Sequence, residues 1–111
     1  MAALDDLGAI VRRIIETYAA LKPSYGEVVI ETVFDEAKGH YELMHAGWNG
    51  NRRIHGSVLH LDIIDGKVWV QHDGTEHGVA NDLLDAGVPR ERIVLAFKHP
   101  TLRRHMEFAQ H

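Results

Sequence analysis

The sequence predicts an α+β domain of two layers, in which two helices pack on a four- to five-stranded, mainly antiparallel sheet. Three observations support this prediction: an N-terminal stripe of apolar residues with helical spacing, four consecutive segments in which apolar and polar residues alternate, and short turn sequences between those segments. The 111 residues are enough for one core of this kind, so we expect residues 1–111 to form a single domain.

The helices are predicted from apolar spacing and from residues that begin or end a helix. In the first, gaps of three and four separate the apolar residues, and Pro23 follows the last of them: Leu4, Leu7, Val11, Ile14, Tyr18 and Leu21. The second is predicted over about residues 75–86, where Asp73 or Thr75 is a candidate N-cap and Gly87 suits a left-handed C-terminal cap.

The sheet is predicted from four strand sequences joined by short turns, which implies an antiparallel meander. EVVIETVFD and HYELMHAGW flank EAKG as a hairpin, NGN leads into RRIHGSVLHLDII, and Asp65-Gly66 leads into KVWVQH. Asp-Gly between apolar runs favours a type I′ turn, because both central residues of that turn have positive φ. A short fifth strand is expected over residues 93–97, followed by a turn and a short helix or tail.

The Asp-Gly turn also predicts which residues share a face of the second hairpin. A two-residue loop places Asp62 opposite Trp69 and His60 opposite Gln71, on an outer polar face. The core face then carries five aliphatic residues, which we expect to pack on the first helix: Leu59, Leu61, Ile63, Val68 and Val70.

The sequence contains no recognisable catalytic or metal-binding motif. It has no cysteine, and neither Ser24 nor Ser57 lies in a nucleophile elbow. Histidines five residues apart in a strand point to opposite faces, unlike the tight pairs of zinc sites. His60 and Asp62 do share a face, so they offer two metal ligands or a base with its orienting carboxylate, but a third ligand would have to come from a neighbouring strand or another subunit. We therefore predict no catalytic residue, no metal and no cofactor.

The charge distribution argues against binding nucleic acid through a basic surface. The net charge is −4, although three Arg-Arg pairs occur, at residues 12–13, 52–53 and 103–104. Exposed tryptophan and arginine commonly anchor protein interfaces. We therefore predict a partner-binding surface on the outer face, made of Trp48, Arg52, Arg53, His60, Asp62, Trp69 and Gln71. The alternative is that the helices cover the two tryptophans.

Four strings, taken in order from about Tyr18 to Ala109, carry a family resemblance. They are KPSYGEVVIETVFDEAKGHYELMHAGW, RRIHGSVLHLDIIDGKVWVQHDGTE, DLLDAGVPRERIVLAFKHP and RRHMEFA, and LHLDIIDGKVWVQHDGTE is the most specific part. Their order and spacing resemble the XisI family, the fdxN-element excision controlling factor proteins. The family often has an aromatic residue where this chain has His55 and His105, and a different polar residue at His72, so these histidines are particular to this sequence.

The resemblance implies a small α+β protein that helps to control excision of a DNA element by a site-specific recombinase in cyanobacteria. It also implies an XisH-like partner, because XisI-like proteins are usually encoded beside XisH-like proteins, which resemble restriction-type nucleases. It transfers no catalytic residue. We expect a non-catalytic accessory factor that contacts the XisH-like protein, forms homo-oligomers and reaches DNA indirectly.

Two alternatives to this function stay open on the sequence: a DNA-binding module that uses the paired arginines, and a His/Asp metal-dependent hydrolase. No apolar run is long enough for a membrane helix and the N-terminus does not read as a signal peptide, so we expect a cytoplasmic protein without a membrane partner.

Overall fold

The computed structural model describes residues 6–21 and 26–111. In chain order their elements are α1 (Leu7–Ala19), β1 (Glu27–Asp35), β2 (His40–Asn49), β3 (Arg52–Ile64), β4 (Lys67–Asp73), α2 (Val79–Asp85), a 3-10 turn (Arg90–Arg92), β5 (Ile93–Leu95) and α3 (Pro100–Arg103). Within these ranges, none of the helices combines the length and the apolar character needed to cross a bilayer.

The five strands form one sheet in the order β1-β2-β3-β4-β5. The first four pair antiparallel as a meander, and β5 lies parallel to β4 at the edge. This confirms the predicted α+β, mainly antiparallel sheet, and the parallel pair is joined through α2 because parallel neighbours need a long crossover. The fifth strand is two residues shorter than predicted, since the chain turns after Leu95, whose carbonyl accepts from the Lys98 amide at 3.0 Å.

The turn at Asp65-Gly66 has the predicted conformation. Both residues have positive φ, 51° and 75°, and the turn pairs Ile64 with Lys67. Because this register places Asp62 opposite Trp69, the face assignment made from the sequence is correct up to that point.

The first helix buries a slightly different stripe from the predicted one. Its fully buried residues are Leu7, Val11 and Ile15, whereas Ile14 and Tyr18 are only partly buried at the sides of the contact. The helix therefore lies rotated on the sheet relative to the prediction. Leu21 is exposed, and the predicted contributions of Leu4 and Pro23 fall outside the described residues.

The second helix begins four residues later than predicted, at Val79. The cause is the Asp73 carboxylate: Oδ1 accepts from the backbone and hydroxyl of Thr75 at 2.9 and 2.6 Å, and Oδ2 accepts from the Val79 amide at 2.8 Å. The Asp73 carboxylate thus provides an acceptor for a backbone N–H in the first turn of α2, and its contacts with Thr75 hold residues 74–78 as a loop. Gly87 has φ 96° and ends the helix as predicted.

The core lies between the helices and one face of the sheet. The aliphatic residues predicted for this face are buried at Leu59, Leu61, Val68 and Val70, while Ile63 is partly buried beside them. Buried residues from the other elements complete the core: Leu7, Val11, Ile15, Tyr41, Leu43, Val79, Leu83, Val88, Ile93 and Leu95. The opposite face of the sheet is therefore free to carry polar side chains.

Candidate functional site

Three neighbouring strands place polar side chains on the face opposite the helices. β2 and β3 pair so that His40 lies opposite Asp62 and Glu42 opposite His60. Opposed residues share a face of a sheet, so these four side chains form one group, which we call the histidine–carboxylate cluster. Asp62 also lies opposite Trp69 of β4, which extends the surface across a third strand.

The histidine–carboxylate cluster is held together by short polar contacts. His40 Nδ1 and His60 Nε2 lie 3.0 and 3.1 Å from the same oxygen, Asp62 Oδ1. The other ring nitrogen of His40, Nε2, lies 3.2 Å from Glu42 Oε1. The two imidazole rings are 4.5 Å apart between centroids and tilted by 61°. Asp62 therefore connects two histidines that come from different strands.

The prediction that His60 lies opposite Gln71 is wrong, because β4 contains a bulge. Leu61 pairs with Val70, but the next pair is His60 with His72, so Gln71 is the extra residue. Gln71 nevertheless joins the outer face, since its Nε2 donates to Asp62 Oδ2 at 3.1 Å. The bulge thus gives Asp62 a partner for its second carboxylate oxygen.

Trp69 is partly covered by the C-terminal segment. The Arg103 guanidinium of α3 lies 5.8 Å from the Trp69 ring centroid, and Arg103 Nη1 donates to the Gln110 carbonyl at 3.0 Å. The Ala109 amide donates to the Ile93 carbonyl of β5 at 2.9 Å, which fixes this segment at the sheet edge. The alternative that the helices cover the tryptophans is therefore partly correct for Trp69.

Trp48 and Arg53 lie at the far end of the sheet from the cluster. They are opposed on β2 and β3, and the Arg53 guanidinium lies 5.2 Å from the Trp48 ring centroid. Trp48 is 51% exposed, and Arg52 beside Arg53 is exposed as well. Trp48 lies eight positions along β2 from His40, a distance of about 26 Å at ~3.3 Å per residue. The predicted continuous surface is therefore divided into two: the histidine–carboxylate cluster with Trp69 and Gln71, and the tryptophan–arginine end formed by Trp48, Arg52 and Arg53.

The sequence-based prediction missed residues that contact the predicted ones on the outer face. His40 and Glu42 enter through the pairing of β2 with β3, and Arg103 enters through the return of the chain after β5. The first pairing includes a bulge near Met44, where Leu43 pairs with Leu59 but Met44 pairs with Ser57. Without that bulge His40 would lie opposite Leu61. A register counted from the turn after Asn49 therefore does not predict the cluster.

Comparison with known proteins agrees with this fold and with the order of its motifs. The sequence matches the XisI family, described as "XisI protein", over residues 1–110. A XisI-like protein from Anabaena variabilis ATCC 29413 is 34% identical, has a TM-score of 0.89, and aligns over 96% of this chain and 98% of its own. The fdxN element excision controlling factor XisI from the same organism is 32% identical, with a TM-score of 0.83 and coverages of 97% and 98%. None of the curated proteins matches. Sequence, fold and near-complete coverage together show that the chain belongs to the XisI family.

Proposed function

We propose that this protein is a non-catalytic controlling factor for excision of a DNA element, and that it acts by binding an XisH-like protein. One solved relative is named an fdxN element excision controlling factor, and the sequence resemblance implies an XisH-like neighbour. The observation that carries the contact itself is the tryptophan–arginine end, where a half-exposed Trp48 is held beneath the Arg53 guanidinium.

The geometry of this end suits a protein interface. Trp48 and Arg53 lie on paired strands, and Arg53 Nη1 also donates to the Gly47 carbonyl at 3.3 Å, which orients the guanidinium beside the Trp48 ring. A pre-arranged tryptophan loses little conformational entropy on binding and offers a large apolar area. A few residues of this kind commonly provide most of the binding energy of an interface.

Duplex DNA is the less favoured ligand for the paired arginines. Arg12 contacts Glu36 at 3.3 Å, Arg53 covers Trp48 and Arg103 covers Trp69, so each pair has at least one member in an intramolecular contact. The three pairs also come from three different elements, α1, β3 and α3 together with the turn after it. The net charge of −4 adds repulsion from phosphate.

The proposal is tested by co-purifying the protein with the XisH-like protein encoded beside it. Trp48→Ala should weaken the complex by about 30-fold, the equivalent of ~2 kcal/mol for an interface anchor. Phe97→Ala is the matched control, because Phe97 is 47% exposed and lies near a cation, Lys98 Nζ, at 5.6 Å, yet belongs to another part of the surface. The same preparation, measured by light scattering without its partner, tests the expected homo-oligomer.

Salt dependence separates the two classes of partner. An interface anchored by an aromatic side chain should lose little affinity between about 50 and 200 mM salt, whereas binding through several phosphate contacts falls steeply over that range. Tight binding to duplex DNA at about 150 mM salt, with a complex that Trp48→Ala leaves unchanged, would show that the protein is a DNA-binding module instead.

A further inference from the structure

The histidine–carboxylate cluster has the spacing of metal ligands. One ligand atom from each of His40, His60 and Asp62 lies within 4.8 Å of the other two. His40 Nδ1 and His60 Nε2 are 3.0 and 3.1 Å from Asp62 Oδ1. In a tetrahedral site with metal–ligand bonds of about 2.0–2.1 Å, neighbouring ligand atoms lie roughly 3.3 Å apart. Each of the two nitrogen–oxygen distances is therefore within a few tenths of an ångström of the spacing expected around one ion.

Two further side chains orient these atoms from outside. Glu42 Oε1 lies 3.2 Å from the second nitrogen of His40, so it accepts the Nε2 proton when Nδ1 carries a lone pair. Gln71 Nε2 donates to Asp62 Oδ2 and leaves Oδ1 to face the histidines. A carboxylate behind a histidine and a donor behind a carboxylate are the partners that metal ligands usually have.

We propose that His40, His60 and Asp62 bind a divalent transition-metal ion, with zinc as the best match, and that Glu42 and Gln71 position two of the ligands. Two imidazoles and one carboxylate are donors that zinc accepts, and hard cations such as magnesium are disfavoured by the nitrogens. The three side chains are 33%, 28% and 20% exposed, which leaves a fourth coordination position open to water or to a group from a partner.

This proposal revises the sequence-based prediction of no metal. The missing third ligand was expected from a neighbouring strand or another subunit, and the register of β2 with β3 supplies it as His40. The site lies at the opposite end of the outer face from Trp48, so the proposal does not depend on the proposed function. It also does not make the fold depend on metal, because the buried core is on the other face of the sheet.

A second group of possible ligands has weaker geometry. His77, Asp82 and Asp85 also lie close together, and the Tyr18 hydroxyl donates to Asp82 Oδ2. His77 is 60% exposed, and its Nε2 is 3.7 Å from Asp82 Oδ1. Because the histidine of this group is more exposed and lies farther from its carboxylate than either histidine of the first cluster, we propose no metal site here.

The test is zinc affinity measured on the protein without a histidine tag, by competition with a chelating indicator. We expect one zinc ion per chain, and Co²⁺ in its place should give the intense visible absorption of a low-coordinate site. His60→Gln and Asp62→Asn should each weaken zinc binding at least about tenfold, and Glu42→Gln by ~10–100-fold, because it removes the charge behind His40.

The matched control is His55→Gln, which alters an exposed histidine on the same strand, outside the cluster. It should bind zinc as tightly as the unaltered protein does. If Asp62→Asn binds as tightly as His55→Gln does, or if both lose affinity equally, the zinc is held by scattered surface histidines and the proposal is wrong. Circular dichroism on each variant verifies that the sheet is intact, and Glu42→Gln keeps the test valid should Asp62→Asn fold poorly.

Discussion

The two faces of the sheet are built from the same strands but are specified in different ways. On the core face, Leu59, Leu61, Val68 and Val70 are fully buried and belong to one hydrophobic core with residues of the helices. On the outer face, Asp62 takes its partners from three strands. Alternation along one strand assigns residues to the core face, whereas contacts on the outer face depend on the register between strands.

Burial of a core residue tolerates small shifts in strand register, whereas a polar contact on the outer face does not. A core residue shifted by two positions along a strand still meets aliphatic neighbours, because most of that face is apolar. His40 shifted by one position would lose Asp62 altogether. Stability should therefore be sensitive to substitutions on the core face, and binding to substitutions on the outer face.

The largest effect on stability is expected for Leu61→Ala. Leu61 is 0% exposed, so the substitution removes buried methyl groups and leaves a cavity, which should lower the free energy of unfolding by about 2–5 kcal/mol. Val33→Ala on the exposed face of β1 is the control. Val33 is 43% exposed, so this substitution should lower the free energy of unfolding by less than ~1 kcal/mol. Urea unfolding of both variants measures the difference. Equal losses would show that the two faces do not differ as the structure indicates.

A smaller effect is expected where backbone atoms, rather than side chains, fill the space. A Cβ added at Gly47 would lie 2.0 Å from the Glu27 carbonyl oxygen and 2.8 Å from Val28 Cα, so β1 would have to move away from β2. Gly47→Ala should lower the free energy of unfolding by ~1–3 kcal/mol. It should also loosen the strand pairing that supports Trp48.

Gly56→Ala is the matched control for this substitution. Gly56 lies on the adjacent strand β3, and a Cβ there meets no atom within 4 Å. We expect a change within about 0.5 kcal/mol in the same urea measurement. A Gly47→Ala variant as stable as Gly56→Ala would mean that β1 is free to adjust at this end of the sheet.

Most of the fold could be predicted from the sequence because local signals agreed with one another. The Asp65-Gly66 turn fixed the register of β3 with β4 as far as Val70, and the helical stripe placed α1 on the sheet. The start of α2 could not be predicted in this way, because Asp73 caps the helix across a loop of five residues.

The candidate site was only partly predictable, because the contacts of Asp62 with His40 and with Gln71 each depend on a bulge. Counting from the turn after Asn49 pairs His40 with Leu61, and only the extra residue in β3 near Val58 brings His40 to Asp62. The apolar pattern of the two strands did indicate this bulge. Tyr41 and Leu43 must share the core face with Leu59 and Leu61, and a register counted from the turn without a bulge would place them on opposite faces. The return of Arg103 to Trp69 depends on tertiary packing, and no local pattern predicts it.

The smallest of the predicted effects on stability concerns a polar contact between α1 and α2. The Tyr18 hydroxyl of α1 donates to Asp82 Oδ2 of α2, a contact between partly buried groups. Tyr18→Phe removes this hydrogen bond and should lower the free energy of unfolding by ~1 kcal/mol at neutral pH. The contact also makes stability depend on alkaline pH, because burial, together with the hydrogen bond to Asp82 and its charge, raises the pKa of Tyr18 from 10.0 to about 12.

The sign of that pH dependence follows from which state loses its proton first. Below pH 10 both states keep the phenolic proton, so the contribution of Tyr18 is fully present; between pH 10 and about 12 the unfolded chain releases it first, and the native state loses stability. The difference in unfolding free energy between the unaltered protein and Tyr18→Phe should therefore shrink between about pH 10 and about pH 12. Burial also raises the pKa of Tyr41, but Tyr41 is present in both proteins and cancels in the difference. A difference that stays constant over this range would show that the hydroxyl of Tyr18 is as free to ionise in the folded protein as in the unfolded chain.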